Sequence, residues 1–166
     1  MNKTKKLTMV SMLFALALVL SIVENLMPQI HGVIPGIKLG LSNIVVMYTL
    51  IFLGPKHALS IALLKAMFTL MTRGLIAFTL SLCGGVSSIL IMLILMKIIR
   101  EISYVSVSIC GSVTHNIMQL VLAVFITGSK LTIAYFPILL ISGIAMGVVT
   151  GTILCAVMPY FKKFNY

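Results

Sequence analysis

A lysine at position 65 stands in the middle of an apolar run, with Thr69 and Arg73 following at four-residue intervals. On a helix that spacing puts all three on one face. A second group, Thr114, His115, Asn116 and Gln119, interrupts a later apolar run, and there His115 and Gln119 share a face. Lys38, Ser42 and Asn43 form a third, in the first turns of a segment that begins after Pro35 and Gly36. The chemistry these residue types offer is recognition. Cations at Lys38, Lys65 and Arg73, with oriented hydrogen bonds from Asn43, His115, Asn116 and Gln119, suit a small polar or anionic ligand. An unpaired lysine at mid-bilayer costs ~2.5–3.5 kcal/mol on insertion scales. Glu24 is the one nearby acid, so a ligand could supply the missing negative charge. Each residue also has a plainer reading. Lys65 can snorkel along its four-carbon stem, His115 can bridge helices as a neutral donor, and Asn116 and Gln119 can simply hold helices together.

Catalysis finds no support in the same residues. The chain contains no aspartate and only two acids, Glu24 and Glu101, so no acidic cluster exists to hold Mg²⁺ for diphosphate chemistry. There is no P-loop, no Gly-rich dinucleotide fingerprint and no Cys/His metal spacing. No catalytic residue, metal site or cofactor is assigned. Cys83, Cys110 and Cys155 lie within apolar runs and read as buried, reduced packing residues.

The elements that must position these residues are membrane helices. Of 166 residues, 61% are hydrophobic and 8% charged, with a mean hydropathy of +1.23. No soluble domain of this length hides that much apolar surface, so the solvent is lipid. The net charge of +10 is scattered between apolar runs rather than gathered in a patch with aromatics, which favours lipid headgroups over nucleic acid. Lys3, Lys5 and Lys6 precede an apolar run without a small-residue cleavage site, so this run reads as a retained first span.

Six apolar segments follow, at about 7–27, 37–53, 58–72, 75–96, 104–127 and 134–158. Most reach the ~20 residues needed to cross ~30 Å of hydrocarbon; the second is short and the third marginal. No alternating strand pattern appears, and backbone groups in lipid must be satisfied internally. The expectation is an all-α membrane protein, a single bundle of six transmembrane helices forming one integral membrane domain over 1–166. With both termini inside, Lys3, Lys5, Lys6, Lys56, Lys97, Arg100, Lys162 and Lys163 face the cytoplasm, against Lys38, Arg73 and Lys130 outside. That bias favours N-in and C-in in the cytoplasmic membrane.

Small residues recur at helix-packing spacing. Gly143, Gly147 and Gly151 make a stripe on the sixth segment, and Ser81, Gly84 or Gly85, and Ser88 do so on the fourth. These read as internal packing. The first segment carries two neighbouring stripes, Ser11-x-x-x-Ala15 and Ala17-x-x-x-Ser21, where contact with another protein is an equal alternative.

Three stretches carry a resemblance: Pro35-Gly36-Ile37-Lys38-Leu39-Gly40-Leu41-Ser42-Asn43, Leu80-Ser81-Leu82-Cys83-Gly84-Gly85, and Gly111 with His115-Asn116-x-x-Gln119. With Tyr135-x-Pro137 and the glycine stripe that follows, the chain resembles the Gx transporter family, also labelled heptaprenyl diphosphate synthase component I, over about residues 8–158. That family is similar to the substrate-binding S components of energy-coupling factor transporters. The resemblance implies six helices, capture of a vitamin- or cofactor-like compound, and docking through the first helix onto a transmembrane T component driven by two ATPases. Here the docking pattern is Ser11-x-x-x-Ala15. The synthase label implies a different role, a non-catalytic membrane subunit or scaffold for heptaprenyl diphosphate or quinone synthesis.

Overall fold

The computed structural model describes residues 3–26, 41–99 and 101–164. Among them the secondary structure is helical throughout: α1 (Lys3–Leu26), α2 (Asn43–Phe52), α3 (Pro55–Arg73), α4 (Leu75–Ile98), α5 (Tyr104–Thr127) and α6 (Phe136–Phe164), with a 3-10 helix at Lys130–Tyr135 before α6. Four of these contain stretches long and apolar enough to cross a membrane: Thr4–Glu24, Leu75–Ile98, Tyr104–Thr127 and Leu131–Pro159. The chain is a multi-pass membrane protein.

The helix breaks have local causes. Gly54 and Gly74 take φ of +89° and +84°, a region costly for residues with a Cβ. Pro55 then opens α3 at a position where its missing N–H is no loss. Gly74 alone separates α3 from α4, so those two helices form a tight antiparallel pair. Ser103 caps α5 by accepting from the Val105 backbone N–H at 3.3 Å.

Four helices follow one another as packed neighbours, α3 on α4, α4 on α5 and α5 on α6, while α2 touches α1, α3, α4 and α6. The largest apolar cluster forms around α2, where Val45, Val46, Met47 and Leu50 meet Ala17, Ala58, Ile61, Ile89, Val107 and Leu154. The α5–α6 seam depends on glycine. A Cβ at Gly151 would lie 2.6 Å from the Val105 Cα, and one at Gly147 would collide with the Ile109 backbone. A Cβ at Gly143 would likewise press on Val113, at 3.2 Å from its Cα. The three glycines therefore sit over Val105, Ile109 and Val113, one turn apart, as two antiparallel helices require. Ser108 donates to Thr150 across this seam, and Thr150 donates in turn to the Gly147 carbonyl at 3.0 Å.

Helix α1 is held more loosely, with 17% of its span buried against 39% for α4 and α5. Its two small-residue stripes part company. Ala17 and Ser21 are fully buried, whereas Ser11 and Ala15 lie on the exposed face.

The cysteines are not the buried residues read in the sequence: Cys83 and Cys155 are exposed and Cys110 is half-buried, because the helix faces that carry them are turned away from the packed seams. Several helix boundaries also differ from those read in the sequence. Helix α3 starts at Pro55 rather than near 58, and α6 runs on through Pro159 to Phe164 after a 3-10 start. The described part of the second segment is helical only from Asn43. Lys38 and the loop at 28–36 lie outside the described residues.

Candidate functional site

Helix α3 buries Ala58, Ile61, Ala62, Lys65, Ala66 and Thr69 on one side. Lys65 belongs to this inward stripe and is only 4% exposed, so its stem does not lead the amine out to the lipid surface. Its Nζ donates to Asn43 Oδ1 of α2 at 2.9 Å. An ammonium can only donate, so this bond fixes the orientation of the amide. Asn43 Nδ2 must then point elsewhere, and it is buried with no acceptor among the described residues. Beside it, the fully buried Ser42 hydroxyl also lacks a partner there. Thr69 spends its hydrogen on the Lys65 carbonyl, at 3.0 Å. Arg73 sits half-buried at the end of α3, two turns beyond Lys65.

The second polar group gathers on α5, where His115, Asn116 and Gln119 are 2%, 1% and 1% exposed. Gly84 of α4 makes room for two of them. A Cβ there would stand 2.8 Å from His115 Nδ1, 2.9 Å from its Cε1 and 3.2 Å from Gln119 Cγ. Gly85, next to it, faces the other way, toward Ala62 of α3 at 3.5 Å. The Gly84-Gly85 pair thus puts His115 and Ala62 at one level on either side of α4. Lys65 and Gln119 each lie about one turn further on, ~4.5–6 Å along parallel helices. Ser81, 6% exposed, is one turn away on α4 in the same direction. A polar layer consequently runs from α3 through α4 to α5 inside an apolar bundle.

Asn116 faces the other neighbour. Its Nδ2 donates to the Leu139 carbonyl at 2.9 Å and to Ser142 Oγ at 3.3 Å, both on α6. That pairing ties α5 to α6 and uses the donors the amide could have offered a ligand. The Gln119 Oε1 differs, being buried without a donor among the described residues.

The structure therefore joins Lys65 with Asn43, seats His115 and Gln119 together over Gly84, and turns Asn116 toward α6. Sequence reasoning grouped Ser42 with Lys38 and Asn43 but did not count it among the ligand-contacting residues. Its place immediately before Asn43 was the available signal, because two polar side chains in succession on a membrane helix are costly to turn toward lipid. Among the described residues no group of three or more His, Cys, Asp or Glu could hold a metal. What the arrangement can do is present donors at Lys65 and Asn43 Nδ2, and an acceptor at Gln119 Oε1, inside the membrane. Leaving buried polar groups unmatched costs ~1–3 kcal/mol each.

Residues 13–157 match the family described as Heptaprenyl diphosphate synthase component I. No curated protein matches the chain, and no solved structure does. The words "component I" imply partner subunits.

Proposed function

Since this chain belongs to the heptaprenyl diphosphate synthase component I family, we propose that it is the substrate-binding membrane subunit, the S component, of an energy-coupling factor type importer. Its cargo is a small polar or anionic compound of vitamin or cofactor type. One observation carries the reading: buried groups inside the bundle, Asn43 Nδ2, Ser42 Oγ and Gln119 Oε1, have no mate among the described residues, next to a lysine that faces inward. Buried polar atoms are ordinarily paired, and a ligand with acceptors at one end and a donor at the other would pair these. In this reading Lys65, Asn43 and Gln119 bind, His115 and Arg73 flank them, and Lys38 lies at the mouth of the site.

The chain is not an enzyme in this reading. With no ATP motif of its own, it obtains energy from a T component and two ATPases. The exposed Ser11 and Ala15 on α1 supply the docking face, because small residues there let another helix approach closely. N-in, C-in topology in the cytoplasmic membrane places the site toward the outside. A second reading rests on the family description, in which the chain is a non-catalytic membrane subunit for heptaprenyl diphosphate synthesis.

Gentle purification followed by native mass spectrometry separates the two. Transport predicts a retained small molecule together with a T component and ATPases, and Ala15→Trp should weaken that assembly while sparing the small molecule. Co-purification with a soluble prenyl synthase and no retained small molecule would favour the second reading.

A further inference from the structure

A cavity of about 400 Å³ opens between the beginnings of α1 and α3, lined by Lys6, Leu7, Val10, His57 and Ser60. We propose that it is a binding site for the phosphate of one anionic phospholipid headgroup. The site is separate from the polar layer around Lys65 and does not rest on the transport reading.

The lining residues have divided roles. His57 Nδ1 bonds to the Leu53 carbonyl at 2.8 Å. A carbonyl only accepts, so Nδ1 carries the hydrogen and the ring is held in place. Nε2 is the nitrogen left to face the cavity, and in the protonated ring it donates to an anion. Lys6 supplies a permanent cation from α1. Ser60 gives its hydrogen to the Lys56 carbonyl at 3.0 Å, so its oxygen lies at the rim as an acceptor. No acid stands in the first turn of either helix. Among the described residues, the other elements packed on α3 line this region with no negative side chain. Helix α2 ends in the Leu53 carbonyl, and α4 meets Pro55 and Lys56 with Val86, Ile89, Leu90 and Leu93. An external anion is the remaining counter-charge.

The cavity's position selects a lipid over a soluble ion. Lys6 is the last cation before the apolar run of α1, which places it at the headgroup level of a bilayer. Leu7 and Val10 give the cavity an apolar wall below the cations, where the glycerol and first methylenes of a lipid would lie. A free phosphate has no use for that wall.

The test uses the full-length chain in detergent micelles titrated with phosphatidylglycerol or phosphatidylcholine, with adducts counted by native mass spectrometry. Wild type should hold one phosphatidylglycerol in preference to phosphatidylcholine. Lys6→Gln and His57→Gln should each lower that occupancy at least fivefold, and Lys6→Arg should keep it because a guanidinium also pairs with phosphate. Lys5→Gln is the control, since it removes the same charge from the adjacent residue, which does not line the cavity. Equal losses in Lys5→Gln and Lys6→Gln would reduce the effect to diffuse surface charge and overturn the proposal. So would equal occupancy by the two lipids, or undiminished occupancy in both Lys6→Gln and His57→Gln. Displacement of the lipid by millimolar inorganic phosphate, with phosphate adducts in its place, would overturn the lipid assignment.

Discussion

Adjacent glycines on α4 should respond in opposite directions to the same change. Alanine at position 84 brings a methyl to 2.8 Å and 2.9 Å from two ring atoms of His115, and to 3.2 Å from Gln119 Cγ. Both side chains are almost fully enclosed, at 2% and 1% exposure, so neither has room to swing aside. Forcing extra volume into a filled interior costs ~1–3 kcal/mol, and alanine recovers ~1 kcal/mol over glycine within a helix. The net expectation for Gly84→Ala is a loss of about 1 kcal/mol, within a range of roughly 0–2. At position 85 the methyl meets only Ala62 Cβ, at an ordinary 3.5 Å, so the gain of ~1 kcal/mol stands almost alone. The two variants should therefore differ by roughly 1–3 kcal/mol, about a 5- to 150-fold ratio in unfolding constant. The chain has no tryptophan, so unfolding is best followed by far-ultraviolet circular dichroism during SDS titration of mixed micelles. A Gly84→Ala protein as stable as Gly85→Ala would refute the close seating of His115 on α4. The ligand affinity of Gly84→Ala should also fall, as Gln119 is pushed from its place.

Two further outcomes concern the site and the topology. Lys65→Met keeps length and apolar volume but removes the charge, and should cut affinity for the retained compound at least tenfold, equivalent to ~1.4 kcal/mol. Gln119→Leu should cost less, because one neutral hydrogen bond contributes ~0.5–1.5 kcal/mol net; calorimetry with that compound gives the order, and wild-type binding by Lys65→Met would remove the lysine from the site. Reporters fused after Gly32 should read as outside, and those after Lys56 or at Tyr166 as inside; the reverse at two of the three would exclude N-in, C-in.

How much could be read in the residues depended on how local the cause was. The bounds of α5, 104–127, were readable because Ser103 caps one end and Gly128 stops the other. The glycine stripe of α6 was readable as a packing surface, since four-residue spacing of residues without side chains has few other uses. The stripes of α1 were not separable in advance. Ser11/Ala15 and Ala17/Ser21 have the same composition and spacing, and only the placement of α2 and α3 decides which is covered. Lys65 was visible as an anomaly, but snorkelling and inward pairing differ only in which way a flexible stem turns. That choice is made by Asn43 on another helix. Asn116 and Gln119 likewise look equivalent in the chain, three residues apart, yet the ~60° between them around the helix is enough to send one to α6 and the other toward α4.

The Asn43–Lys65 bond also bears on how the chain is made. Helix α3 alone carries Lys56, Lys65 and Arg73 and is not among the four stretches apolar enough to cross by themselves. The described part of α2, ten residues, is too short to do so. The bond spans 22 residues, across a single turn at Gly54-Pro55. The two helices leave the ribosome one directly after the other, so the amide is at hand when the lysine reaches the translocon. Entry as a hairpin would let the amide oxygen solvate the ammonium at the step where an unpartnered lysine costs ~2.5–3.5 kcal/mol. On that route Asn43 would matter during insertion as well as in the mature fold. Losing that amide should send newly made protein to quality control, even where the mature fold would tolerate the change.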